Sequence, residues 1–393
     1  MSGWSVLLDV GLVVVLVGAL AYGWHSGLLR TAAGLAGLAA GGVAAFFAMP
    51  WVGGIVDRPM WRAAAVVLTA ALLLSVGAVV GTALGRLLNR GARAIRLGWL
   101  DRTLGAIGNL VAAAFAIALV ASGVASMGVP ALTPVVAGSW VVRGIDAVTP
   151  TPARAALAEI RAATFGGAIP WLGEVIGGPT EAPAPPTGEL DDADLVAAGA
   201  SVVRISGLAF RCGVSMSGSG FVIAPDRVVT NAHVVAGVPE PVVEAPGRIP
   251  LPGRVVAIDR DADLALIAVD GLGVEPLDLA ANPPTGTDAA IGGYPFGGPY
   301  ELRAARFLET GPLAIDEDGV RSTRDVTTLA AKVDHGNSGG PVLTLDGDVG
   351  AIVFAKSETV PDVGYAIPAS TLAPLAARAS ALVDAVDVGS CVR

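Results

Sequence analysis

Lysine is almost missing from this chain. Only Lys332 and Lys356 occur in 393 residues, beside two cysteines, three histidines and 5% aromatics. The lysine shortage reads as genomic composition bias rather than as chemistry. The other scarcities exclude function classes. With Cys212 and Cys391 single and distant, and no histidine–cysteine cluster at zinc spacing, no metal site is expected. No glycine-rich phosphate loop of the P-loop type occurs either, and no cofactor is expected. The net charge is −9, whereas phosphate binding needs clustered lysine and arginine, so nucleic acid is excluded as the main partner. Charge of either sign is scarce too, at 15% of residues. With 53% hydrophobic residues and a mean hydropathy of +0.66, the chain is too apolar for an ordinary soluble protein.

The apolar excess is concentrated at one end. Residues 1–127 carry eight arginines and three acidic residues, a net of +5, whereas the remainder carries −14. Four apolar runs, at residues 5–24, 28–49, 63–85 and 104–127, are each long enough for a helix to cross a bilayer. The first run lacks a basic leader and is followed by further runs, which predicts a span rather than a signal peptide. Arg30 follows span one, and Arg86, Arg90, Arg93, Arg96 and Arg102 lie between spans three and four, while the middle loop holds only Arg58 and Arg62 beside Asp57. The positive-inside rule then puts the first and third loops in the cytoplasm, with both termini and everything after residue 127 outside.

Gly77, Gly81 and Gly85 recur every four residues in span three, and Gly37 and Gly41 repeat the pattern in span two. Small residues on one helix face let a neighbouring backbone approach, which predicts close packing among the four helices, with a dimer seam or a gated pore as alternatives. Asp9 lies in the first apolar run. An intramembrane carboxylate is a functional candidate, but one so near the outer end can reach headgroups or water, and a structural role is expected. The layout of residues 1–130, with glycine-rich helices and an arginine-bearing third loop, resembles the colicin V production family.

Residues 131–190 read as a linker. Helix-like stretches at 141–147 and 153–164 are flanked by Pro130, Pro134, Pro150 and Pro152, and the proline-rich run GGPTEAPAPPTG at 177–188 predicts an extended spacer. A folded domain is expected over residues 191–393. There the pattern changes to about a dozen short strands punctuated by glycine, proline and aspartate, in two sets of roughly six, which suggests two packed β-barrels. Leucine and alanine at helical spacing over 370–386 predict a C-terminal helix.

Three motifs in this half carry chemistry. GNSGGP (336–341) sets Ser338 on a tight glycine-bounded turn, where its hydroxyl is exposed and the N–H groups of Gly336 and Ser338 converge as an oxyanion hole. TNAHV (230–234) ends a strand at His233, a general base for Ser338. DADLALI (261–267) offers a carboxylate, Asp261 or Asp263, able to fix the imidazole tautomer. The order His, Asp, Ser is that of chymotrypsin-type enzymes. His335 lies too near Ser338 in sequence to serve as its base, and His25 is expected at the membrane interface.

Over residues 200–370 these motifs resemble trypsin-like serine proteases, above all the bacterial HtrA-like branch. The resemblance implies a chymotrypsin-like double barrel with His233 as base, Asp263 as the orienting acid because it directly precedes Leu-Ala-Leu, and Ser338 as nucleophile. It also implies that VGYAIP (363–368, with Tyr365) lines the specificity pocket. Val353, Phe354 and Ala355 resemble a pocket wall suited to an apolar residue, and Lys332 falls where a pocket floor could favour an acidic one. Asn337 departs from digestive trypsin-like enzymes, whose aspartate there pairs with a freed N-terminal amine. Activation by an inserted N-terminus is therefore not expected, and the loop 292–300 and the cysteine pair become the candidate levers. The four-span-plus-protease layout resembles the actinobacterial membrane-anchored acid-resistance proteases. That resemblance implies an endopeptidase in the cell envelope, anchored in the lipid bilayer, with protein or peptide substrates and a role under acid or oxidative stress. Both cysteines fall on the side where oxidation is permitted, so a Cys212–Cys391 disulfide is expected. The rival readings are a protease-fold protein that only binds partners, and a membrane channel gated by the outer domain.

Overall fold

The computed structural model describes residues 3–55, 59–92, 98–165, 174–176, 183–187, 192–209, 214–317, 320–357 and 359–389, with single positions at 179, 181 and 190. Cys212 and Cys391, Arg58, Arg93 and Arg96 lie outside the described residues. The chain divides into two compact units, residues 1–120 with 139–145, and residues 121–138 with 146–393.

Among the described residues four long helices supply most of the first unit: α1 (Gly3–Ser26), α2 (Leu28–Ile55), α3 (Pro59–Ala92) and α4 (Gly98–Ser126), the last of which continues past residue 120 into the second. Among the described residues three stretches are long and apolar enough to cross a membrane: Gly3–Ser26, Leu28–Ala45 and Trp99–Ser126. In α3 the corresponding apolar stretch, Leu72–Leu87, is shorter. The glycine pattern becomes an α2–α3 seam. A methyl group added at Gly37 would strike the Gly77 carbonyl, one at Gly41 the Leu73 carbonyl, and one at Gly81 the Ala33 carbonyl. The two backbones therefore touch directly, the close approach that small residues permit in lipid. Polar links cross the unit as well: Leu28 N–H donates to Asp101 Oδ1 of α4 (2.9 Å), and Asn109 Nδ2 donates to Thr31 Oγ1 (2.7 Å).

Asp9 is neither in water nor unpartnered. It is buried, and its carboxylate accepts from Ser139 Oγ (2.5 Å), Val141 N (3.2 Å) and Trp140 N (3.3 Å). These donors form the start of α6 (Trp140–Val148), which follows the short α5 (Thr133–Gly138), and Ser139 Oγ also accepts from Val142 N at 3.1 Å. The first turn of a helix leaves backbone N–H groups without partners, and a carboxylate there satisfies them while complementing the helix dipole. Sequence spacing could not reveal this pairing across 130 residues.

The second unit adds α7 (Thr151–Phe165), α8 (Ala193–Gly199) and two antiparallel seven-stranded sheets. Strand β1 (Glu174–Ile176) comes first in the chain. The first sheet then takes β2 (Val202–Ala209), β3 (Val214–Ala224), β4 (Arg227–Thr230), β5 (Val242–Glu244), β6 (Leu251–Pro252), β7 (Arg254–Asp259) and β8 (Leu264–Ala268), in the spatial order β6-β5-β2-β3-β4-β8-β7. Its edge strands β6 and β7 are consecutive in the chain, separated only by Gly253.

The second sheet takes β9 (Asp288–Gly293), β10 (Glu301–Glu317), β11 (Val320–Ala331), β12 (Pro341–Thr344), β13 (Val349–Lys356) and β14 (Val363–Pro368). Because β9 pairs with both β12 and β10, this sheet closes on itself. The β10–β11 hairpin is longer than the sequence pattern implied, and β1 pairs with its outer part, Val175 opposite Ile315.

One apolar cluster lies within the first sheet (Val203, Ile205, Val228, Ile267), one within the second (Ile291, Phe307, Leu329, Val342), and a third joins both through Phe221, Leu266, Leu343 and Ile352. The C-terminal helix is shorter than the expected 370–386: α9 covers Ala369–Ala376, a 3₁₀ turn follows at Ala379–Ala381, and only then does the chain become extended. Arginines of the first sheet capture its carbonyls. Arg227 Nε donates to Ala379 O (3.0 Å), Arg254 Nε to Val383 O (3.3 Å) and Arg260 to Val388 O (2.7 Å), while Val386 N donates to Val255 O (3.0 Å). Where Val386 N pairs with the sheet, the backbone has left the helical ladder.

Candidate active site

Strand β4 is wholly buried and delivers Asn231 and then His233 on a single 3₁₀ turn. Asp263 immediately precedes β8, with φ +54°. That left-handed conformation is uncommon for a residue with a Cβ and persists only where the surroundings enforce it. Asn231 Nδ2 supplies part of the constraint by donating to Asp263 O at 3.0 Å. The carboxylate is thereby aimed at His233: Oδ2 lies 2.9 Å and Oδ1 3.2 Å from Nδ1, and Oδ1 also accepts from His233 N at 3.1 Å. His233 is 4% exposed and Asp263 2%. Since a carboxylate can only accept, Nδ1 is the donor of this contact, and in a neutral ring that leaves Nε2 with the lone pair. Asp261 is exposed, and its carbonyl accepts from Arg324 at 3.0 Å.

Ser338 sits on the loop between β11 and β12, its Oγ 3.5 Å from Phe354 O. Among the described residues no hydrogen bond joins it to His233. Catalytic hydrogen bonds are often long in the free enzyme and tighten when substrate binds. The loop backbone is more fully determined. Gly336 has φ +93°, and a Cβ there would meet Tyr294 O and Phe296 N, so glycine is required. The His335 carbonyl accepts from Phe296 N at 2.5 Å, and in a planar trans peptide this turns the Gly336 N–H the opposite way. Neither Gly336 N nor Ser338 N has an acceptor among the described residues. Backbone N–H groups are otherwise almost always paired, so this loop carries two donors able to receive an incoming oxygen.

Ser219 of β3 ties this loop to the first sheet, and sequence reading missed it. Its Oγ donates to Gly336 O (2.6 Å) and accepts from Tyr294 N (2.9 Å), while its N donates to Ser338 O (2.8 Å). The only sequence signal was its place in GSGF (218–221), where a small polar residue alternates with glycine in a strand. The loop 292–300 also reaches the site, through Phe296. The phenols of Tyr294 and Tyr300 are pushed up by burial, Tyr300 to about 12, and Tyr294 Oη donates to Val202 O at 3.1 Å.

The pocket candidates separate. Val353 and Phe354 are buried on β13, and Ala355 pairs with buried Tyr365 of β14. The Phe354 ring lies beneath the Arg324 guanidinium, 4.9 Å away. Lys332, directly after the end of β11, is exposed. His335 is half-buried, with its pKa lowered by burial first and then by the Lys356 charge, against an opposing effect of Asp334. No group of three or more potential metal ligands occurs among the described residues.

The trypsin-like peptidase domain family matches residues 218–352, and the colicin V production protein family matches residues 8–150. The chain is 35% identical over 395 aligned residues to the serine protease Rv3671c of Mycobacterium tuberculosis (strain ATCC 25618 / H37Rv), covering 98% of each chain. It is 30% identical over 171 residues to a probable DegP-like periplasmic serine endoprotease of Rickettsia prowazekii (strain Madrid E), covering 41% of this chain and 33% of that protein. The solved active form of the Rv3671c protease superposes with a TM-score of 0.52 at 37% identity, over 55% of this chain and 96% of that one. The motifs, the fold around them and near-full-length similarity agree: this chain is a serine protease and belongs to the Rv3671c family, which joins a colicin V production-type N-terminal region to a trypsin-like peptidase domain.

Proposed function

We propose that this protein is a membrane-anchored endopeptidase that cleaves envelope proteins through an acyl-enzyme. His233 Nε2 takes the Ser338 proton as Oγ attacks the scissile carbonyl, and the Asp263 carboxylate stabilises the resulting imidazolium. The oxyanion binds to the N–H groups of Gly336 and Ser338. His233 then gives its proton to the leaving amine, and water repeats the sequence to release the acyl group. No metal or cofactor enters this chemistry. The observation that carries the reading is the buried His233–Asp263 pair, together with a GNSGGP loop that holds two N–H groups without acceptors among the described residues. Val353, Phe354, Ala355 and Tyr365 form the wall of an apolar specificity pocket.

Four spans anchor the protease at residues 1–130, with residues 131–190 as the connecting segment. The protease, a pair of β-barrels over 191–393, stands on the extracytoplasmic side, as the arginine-rich third loop argues. There a Cys212–Cys391 bond ties the chain end to the first sheet, and the enzyme serves survival under acid or oxidative stress. A fluorophosphonate probe should label the full-length protein covalently at Ser338, with labelling lost in Ser338→Ala and His233→Ala while the fold is kept. An active Ser338→Ala protein would overturn the mechanism.

A further inference from the structure

The oxyanion loop, residues 334–338, has an uphill conformation to maintain. It holds Gly336 at φ +93° and keeps two backbone N–H groups without partners. Its internal brace is reciprocal: Asp334 N donates to Asn337 Oδ1 (2.9 Å), and Asn337 N donates to Asp334 O (3.0 Å). Asn337 is fully buried and uncharged, so it cannot anchor the loop through an ion pair. The charge sits three residues earlier.

Asp334 Oδ2 accepts from Arg303 Nη1 at 2.7 Å. Arg303 lies on β10, opposite Ile291 of β9, within the closed sheet. Its guanidinium is held from the other side by Glu301, whose Oε2 accepts from Nε at 2.9 Å and lies 2.7 Å from Nη2. The Arg303 and Asp334 side chains are only 18% and 16% exposed, which removes the pair from the class of solvent-screened surface bridges worth little. Burial opposes the Arg303 charge, yet its hydrogen bonds to Asp334 and Glu301 hold its pKa above the ordinary arginine value. A planar fork gripped by two carboxylates is rigid, and it starts the loop from a fixed point on the sheet.

We propose that Arg303 is a positioning residue for catalysis: through Asp334 it holds the 334–338 loop in the conformation that presents the Gly336 and Ser338 N–H groups, so the site needs no liberated N-terminal amine to become active. This rests on the reading of those two N–H groups as the oxyanion donors. Arg303 touches neither substrate nor nucleophile, and its effect belongs to the transition state rather than to substrate binding.

The test uses the full-length protein in detergent or bilayer, with a peptide substrate, a peptide boronate as transition-state analogue, and the cleaved product as ground-state ligand. Arg303→Met should lower kcat about 10–100-fold, less than outright loss of an oxyanion donor, with KM within about threefold. Boronate inhibition should weaken in parallel while product affinity holds. Arg303→Lys, which keeps the charge and loses the fork, should fall between. Asp334→Asn should reproduce the loss, and the double variant should be no worse than the worse single one, as for groups that act as a unit. If Arg303→Met does not yield folded protein, Asp334→Asn leaves β10 intact and carries the same expectation. The proposal fails if the variants keep kcat within about twofold, or lose kcat without weakening the boronate, while Ser338→Ala is dead. An active Ser338→Ala would instead sink the catalytic reading beneath it.

Discussion

The two units of this chain solve packing in opposite ways. In the N-terminal unit α2 and α3 meet at glycines, where the absence of side chains lets Gly37 and Gly77 bring backbone against backbone. In the protease unit the centre is filled by large side chains, with Phe221, Phe307, Leu264, Leu266 and Leu343 essentially inaccessible. Lipid tails are as apolar as leucine, so burying leucine between membrane helices gains little and contact is won by close approach. Against water each buried apolar Å² contributes about 25 cal/mol, and filling space becomes the stabilising strategy. Polar groups divide the same way. Asp9 is buried and met by three donors, whereas the 334–338 loop leaves the N–H groups of Gly336 and Ser338 without acceptors among the described residues. The first arrangement adds stability, and the second gives some of it up.

That contrast can be tested from its steepest side. Asp263→Asn should lower kcat by about 10⁴-fold, because an amide supports the wrong imidazole tautomer, while Asp261→Asn stays within about twofold. Steady-state kinetics on the two variants decides, and the reverse ranking would overturn the assignment of the orienting acid.

A smaller effect is expected at the seam. Gly81→Leu inserts a side chain where a methyl group already meets the Ala33 carbonyl, and should destabilise α2–α3 packing by about 1–3 kcal/mol or more. Leu84→Phe, at an exposed position one turn away, should change stability by less than about 0.5 kcal/mol. Unfolding in mixed detergent micelles compares the two, and equal effects would deny the seam its role.

The smallest effect concerns His335. Burial and then Lys356 lower its pKa in the folded state, so the unfolded chain binds this proton more readily. The resulting stability is fully present above the ordinary histidine value of 6.5 and is lost as pH falls through the lower folded value. His335→Gln should therefore flatten the acid-side decline in the melting temperature of the protease unit. An unchanged slope between about pH 7 and 5 would assign that decline to other groups.

Legibility in the sequence followed the range of the interaction. Apolar runs long enough for helices, the four-residue glycine repeat and the GNSGGP turn are local patterns, and the structure carries each of them as a helix, a seam and a loop. His233 and Asp263 were legible because each sits in its own short motif, although 30 residues separate them. Ser219 was hidden because a serine in a strand has no distinctive neighbours, and its work is done across 117 residues. The C-terminal stretch had helical spacing, but it runs along the first sheet, where Val386 N donates to Val255 O and Arg227 and Arg254 donate to the carbonyls of Ala379 and Val383, and tertiary hydrogen bonds overrode the local preference.

By itself, the sequence determined where apolar length allows a helix to cross lipid, where glycine lets helices touch, and which three residue types stand in protease order. These follow from composition and short spacing, which act before the chain folds. The tertiary structure alone decided that Asp9 ends on the first turn of α6, that the Asp263 carboxylate faces His233 Nδ1 while Asp261 faces solvent, and that Arg303 grips the loop before Ser338. A charged or polar side chain is neutral to its own segment and takes its meaning from whichever partner the fold brings within 3 Å, and no spacing rule records that partner.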